Sequence, residues 1–227
     1  MARIVAGVEE AGRGPVIGPI ILAGVSFEEG VDKQLRELGV KDSKELSRQQ
    51  RDGLEKKIEE LAKDVVIIKV SACKIDGYQR DGVNLNRMET MKFADIINML
   101  SPDCAIVDSP DVKPERLKLI LQKMLKKETE LVVEHKADKN HPVVSAASII
   151  AKVNRDREVD KLKVKYGDFG SGYPHDPLTV TWLKEWKGPF PEMVRKSWAT
   201  TDGLIAQKEQ RGLFGFLKKK EECNPPA

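Results

Sequence analysis

Cysteine is scarce. Cys73, Cys104 and Cys223 are three in 227 residues, odd in number and without a CxxC spacing, which argues against a disulfide framework or a structural zinc site. Long apolar runs are missing too: no stretch approaches the roughly 18 residues that a membrane span needs. The amino terminus lacks the basic region, apolar run and cleavage site of a secretory leader, so a cytoplasmic protein without membrane association is expected. Charge of one sign is lacking as well. The 39 basic and 36 acidic side chains leave +3, too small an excess to imply nucleic-acid binding by itself, and any polyanion site must come from local placement. No internal repeat is visible.

What is present is a balance of 40% apolar and 33% charged residues, the mark of a globular chain, at a length that suits one main domain with a tail. We expect a domain over 1–206 and a basic tail over 207–227. Arg3 to Val8 is short, apolar and β-branched, and reads as a buried strand delivering Glu9-Glu10 to a Gly-rich turn, Gly12-Arg13-Gly14-Pro15. Ile20 to Val25 reads as a second strand. Ser47 and Gln50 form a capping-box pattern before Leu54, Ile58 and Leu61, which predicts a helix of about four turns. Val65 to Val70 is a third strand. A helix beginning near Asn84 carries Phe93, Ile96, Ile97 and Leu100 on one face and stops at Ser101-Pro102.

Cys104 to Val107 is a brief strand ending at Asp108, and Pro114 opens a helix with Leu117, Ile120, Leu121 and Met124 on one face. Leu131 to Val133 follows as a strand. The helix from Val144 to about Lys163 carries Ala147, Ser148 and Ala151, small enough to let it approach a sheet closely. Gly167 to Pro174 is a loop, with a shorter helical region around Trp182. Strands separated by helical patterns give the α/β class, a sheet covered by helices.

Glu9 and Glu10, Asp108, and Asp138 each sit at or just past the end of an apolar run. Acids in such places serve as helix caps and turn formers, pair with basic groups, or bind a hard cation through oxygen. Their flanks narrow the choice. Glu9-Glu10-Ala11-Gly12-Arg13-Gly14, Asp42-Ser43-Lys44, Val107-Asp108-Ser109, His135-Lys136-Ala137-Asp138, Val144 to Lys152, and Gly170-Ser171-Gly172-Tyr173-Pro174 resemble, in order, the motifs of the type 2 ribonucleases H, ribonuclease HII. The resemblance spans roughly residues 4 to 200. It departs at Glu9, where that family has aspartate.

The resemblance implies a ribonuclease H-like fold with a central mixed sheet flanked by helices, and a helical carboxy-terminal region that helps form the substrate groove. It implies a metal-dependent endonuclease that cuts the RNA strand of RNA/DNA hybrids and DNA containing ribonucleotides, leaving a 3′-hydroxyl and a 5′-phosphate. Glu9, Glu10, Asp108 and Asp138 would be the catalytic, metal-binding quartet for two Mg2+ or Mn2+ ions. Gly12, Arg13 and Gly14 would read the ribose, Lys44 a phosphate, and Tyr173 the sugar beside the scissile phosphate.

His135 and His141 lie nearest to this set in sequence and are expected to be ordinary packed or surface histidines. Gln210, Leu213, Phe216 and Leu217 approximate a sliding-clamp-binding box, against the simpler alternative of an amphipathic end packing on its own domain. A monomer is expected. The extra methylene of Glu9 motivates a rival function, a hybrid-duplex or clamp-binding protein with impaired cleavage.

Overall fold

The computed structural model describes residues 2–206; the tail, with Cys223 and the clamp-box residues Gln210, Leu213, Phe216 and Leu217, lies outside the described residues. Among the described residues five strands form one sheet in the order β3-β2-β1-β4-β5. They are β1 (Ile4–Ala11), β2 (Ile20–Glu28), β3 (Asp64–Val70), β4 (Cys104–Asp108) and β5 (Glu130–Glu134). β1, β2 and β3 run antiparallel as a meander, while β4 and β5 run parallel to β1, so the sheet is mixed.

The helices are α1 (Asp32–Glu37), α2 (Arg48–Leu61), α3 (Ala72–Arg80), α4 (Leu85–Leu100), α5 (Pro114–Met124), α6 (Ala137–Asn140), α7 (Pro142–Tyr166) and α8 (Pro177–Glu185). Residues 199–206 are also helical. α2 begins at Ser47, whose side chain accepts the N–H of Gln50 while the Gln50 side chain accepts the N–H of Ser47. α4 is capped by Asn84 and ends where Ser101 turns left-handed before Pro102. α1 and α3 have no counterpart in the sequence pattern. Neither has a side-chain cap, α1 is six residues long, and α3 contains Gly77.

Alternation along the strands divides the core in two. Val5 and Ala11 face α7 and α2, while Ala6 and Val8 face α4 and α5. α7 lies so close to β1 that a Cβ placed on Gly7 would come 2.1 Å from the carbonyl oxygen of Val143. This close approach fits the buried Ala147, Ser148 and Ala151. On α5 only Leu117 and Leu121 are buried, and Ile120 and Met124 are exposed, because a helix at the margin of the sheet buries a narrow stripe.

A third cluster builds the carboxy-terminal region. Phe169, Leu183, Phe190, Met193 and Val194 pack with Val159 of α7 and with Val16 and Ile17, which join this region to the loop after β1. Ile17 and Val194 form a single antiparallel bridge.

Candidate active site

The acids are gathered by register. Val8 pairs with Val107 across the parallel β1 and β4, so the next residues, Glu9 and Asp108, end side by side at the same edge of the sheet. Glu9 follows Val5 on the α7 face, and Asp108 follows Cys104 and Ile106 on that face. Asp138 arrives from α6. The chain reaches it through Lys136, which adopts φ 58° and so turns the backbone sharply enough for the N–H of Ala137 to donate to Asp108 Oδ1 at 2.9 Å.

Glu9, Asp108 and Asp138 thereby each offer an oxygen within 4.8 Å of one another. Glu9 reaches this cluster despite its extra methylene, with Oε1 accepting the N–H of Glu10 at 2.9 Å. Glu10 extends from the opposite face of β1, and its Oε2 is buried without a hydrogen-bond partner.

Such crowding costs free energy. Burial, then the charges of Glu10 and Asp108, push the Glu9 carboxyl well above the ordinary range. Burial raises Glu10 as well, although hydrogen bonding with Glu9 and the charge of Arg13 oppose the shift. Asp138 is raised by burial and then by Asp108, with Lys44 pulling it back. Oxygen-only donors, one of them orphaned, fit a hard divalent cation whose charge would relieve the repulsion.

Of the expected substrate residues, Lys44 borders this cluster and the others gather at the turn that follows β1. Lys44 sits in a 3-10 turn, Ser43–Glu45, that Asp42 caps, and its Nζ lies 3.9 Å from Asp138 Oδ2. Gly12 has φ +89°, and a Cβ there would meet the Pro19 carbonyl oxygen at 2.7 Å, so the turn requires glycine. The Tyr173 ring lies where a Cβ on Gly14 would meet it at 3.3 Å, and Arg155 sits over that ring with its guanidinium 5.5 Å from the centroid.

The side chain of Arg13 turns away into the fold: it pairs with the fully buried Glu89 and donates to Asn86 Oδ1 at 2.6 Å. Glu89 and Asn86 escaped the sequence pattern, yet they stand four and seven residues before Phe93 and continue the buried face of α4. The ring nitrogens of His135 lie 3.3 Å from the carbonyl oxygens of Ser109 and Val112, and His141 Nε2 lies 3.2 Å from Glu134, so both are engaged structurally.

The family model described as "Ribonuclease HII" matches residues 6–201. The chain belongs to the ribonuclease HII family. It is 46% identical over 222 residues to the ribonuclease HII of Pyrococcus abyssi, covering 95% of this chain and 98% of that one. The crystal structure of the ribonuclease H2 from Pyrococcus horikoshii superposes with a TM-score of 0.85 at 44% identity, covering 90% and 98% of the two chains. The ribonuclease HII in the PCNA:RNase HII complex from Archaeoglobus fulgidus gives 0.80 at 46% identity, covering 86% and 95%. The fold is therefore ribonuclease H-like, and membership carries the activity of a metal-dependent endonuclease acting on the RNA of RNA/DNA hybrids.

Proposed function

We propose that the chain cuts both long RNA/DNA hybrids and duplex DNA at embedded ribonucleotides, with Glu9, Glu10, Asp108 and Asp138 holding two Mg2+ or Mn2+ ions. The observation that carries this is the convergence of oxygens from Glu9, Asp108 and Asp138 at the end of the strand that runs into a turn requiring glycine, with Tyr173 against Gly14 of that turn. A pair of divalent ions in such a site supplies an activated water and a stabilised leaving oxygen for in-line hydrolysis, which leaves a 3′-hydroxyl and a 5′-phosphate.

The residues of the chain do the positioning. Backbone groups of Gly12, Arg13 and Gly14 approach the sugar closely, and the 2′-hydroxyl is what separates RNA from DNA there. Arg13 contributes main chain to this surface, since its guanidinium is committed to Glu89 and Asn86. Tyr173 packs against the sugar next to the scissile phosphate, and the exposed Lys44 holds a phosphate at the rim. Gln210, Leu213, Phe216 and Leu217 form a short anchor for a sliding clamp, a proposal supported by the clamp complex of the Archaeoglobus fulgidus relative.

Incubation with Mg2+ or Mn2+ and three duplexes, all DNA, RNA/DNA hybrid, and DNA with one embedded ribonucleotide, tests the activity. Cleavage of the two ribose-containing duplexes alone is expected. Binding without cleavage of either would overturn it in favour of a hybrid-binding protein.

A further inference from the structure

Arg195 is fully buried, yet among the described residues no carboxylate pairs with it. Its guanidinium is spent on backbone carbonyls some 180 positions earlier: Nη2 donates to Gly12 O at 2.6 Å, Nη1 to Arg13 O at 2.8 Å, and Nε to Gly18 O at 3.0 Å. The indole of Trp198 lies beneath it, 4.7 Å from the ring centroid, and the indole N–H makes a long, 3.4 Å bond to Gly14 O. Burying an arginine with no carboxylate in contact is costly, since the charge of Asp76 reaches it only from beyond pairing distance, and three carbonyl acceptors in fork geometry are the main compensation.

The consequence follows from peptide geometry. All peptide bonds in the described residues are trans, so carbonyl and N–H of one unit point to opposite sides. Turning the Gly12 and Arg13 carbonyls toward Arg195 turns the N–H groups of Arg13 and Gly14 the other way. No acceptor in the described residues takes either N–H. Two unpaired donors are thus held at the surface beside Tyr173 by a guanidinium behind them.

We propose that Arg195 is a positioning residue for ribose recognition: by gathering the carbonyls of the turn it fixes the direction of the Arg13 and Gly14 N–H donors toward the substrate sugar. This rests on the proposal that Gly12 to Gly14 face the ribose. Arg195 itself touches no reacting atom. Lysine keeps the charge but offers one nitrogen in place of a planar fork, and cannot bridge three separated carbonyls in the same way.

The test compares full-length Arg195→Lys with Leu183→Ala, a buried control in the same cluster away from the turn. Tm, the Mn2+ concentration for half-maximal activity, and kcat/KM on DNA with one ribonucleotide are measured, the last where both variants are folded. For Arg195→Lys, kcat/KM is expected to fall by about 10- to 100-fold with the Mn2+ midpoint unchanged, while Leu183→Ala loses Tm and keeps kcat/KM. Equal losses in both variants, an undiminished kcat/KM in Arg195→Lys, or a shifted Mn2+ midpoint overturn the proposal.

Should Arg195→Lys not fold, Trp198→Phe decides, since it removes the indole N–H and leaves a smaller aromatic ring beneath the guanidinium: a weaker loss of the same kind supports the proposal and undiminished cleavage overturns it. Gly14→Ala separates the underlying assumption. If it impairs ribose-dependent cleavage while Arg195→Lys does not, only the role of Arg195 fails; if Gly14→Ala has no effect, the ribose-facing turn itself is wrong.

Discussion

Glu9 meets Asp108 and Asp138 although its side chain is one methylene longer than the aspartate of the family motif. Its position at the end of an apolar run is plain in the sequence, and so is its departure from the family aspartate. What the sequence leaves open is whether the longer side chain still arrives, and strand register answers that by setting Glu9 beside Asp108. Arg195 was invisible for the opposite reason: it belongs to no periodic pattern, and its partners are carbonyls, which carry no sequence identity.

The acids also dictate how stability responds to pH. Burial and mutual repulsion hold Glu9, Glu10 and Asp138 above the ordinary carboxylate range, so over that window the folded chain binds more protons than the unfolded one. The stabilisation they give is therefore present below their unfolded values and is lost as pH rises through their raised folded values. Glu9→Gln removes one of the crowded charges. The metal-free variant is expected to melt about 2–4 °C higher than the parent at pH 8, with a smaller gain at pH 5, while cleavage falls by about 100-fold or more. Mn2+ should raise the Tm of the parent more than that of the variant. Thermal melts at the two pH values with and without Mn2+ check this, and a variant that melts no higher at pH 8 contradicts the repulsion argument.

At the scale of elements, strands and long helices were legible because each carries a strong local signal. The capping box at Ser47 and the stop at Ser101-Pro102 fall where the pattern put them, within a residue. α1 and α3 were not legible, since both are short and uncapped and are held by packing rather than by propensity. The crossing of α7 over β1 was half legible: the small residues of the helix were evident, but Gly7 on the strand acquires its meaning only from the Val143 backbone against it. Gly7→Ala forces backbone, not a flexible side chain, to move. A loss of about 1–3 kcal/mol is expected in chemical denaturation, accompanied by reduced cleavage because α6 and Asp138 lead directly into α7. A variant as stable as the parent would show that α7 can back away freely.

On the scale of the whole molecule, two bodies meet at one edge: a sheet that supplies the acids, and a carboxy-terminal region that packs on Val16 and Ile17 and supports the turn beside them. The sequence suggested such a region but not its point of attachment, because contacts between residues near 17 and near 194 leave no periodic trace. The tail continues from this second body. If it is the clamp anchor, Phe216→Ala with Leu217→Ala should weaken binding to an archaeal sliding clamp by at least about tenfold while cleavage of a short hybrid without clamp stays unchanged. Titration calorimetry with the clamp distinguishes this from a tail that serves only its own domain, for which clamp affinity would be absent in the parent.

The support of the Gly12 turn by Arg195 also orders the birth of the protein in time. The ribosome makes residue 12 early and residue 195 late, and closing a loop of that span costs little more entropy than closing one half as long, about 0.6 kcal/mol. Glu9, Asp108 and Asp138 have all been synthesised while the turn still waits for its arginine. On the proposed roles, the residues that would cut leave the ribosome before the arginine that would hold the turn that chooses, so selection is the later of the two to be assembled.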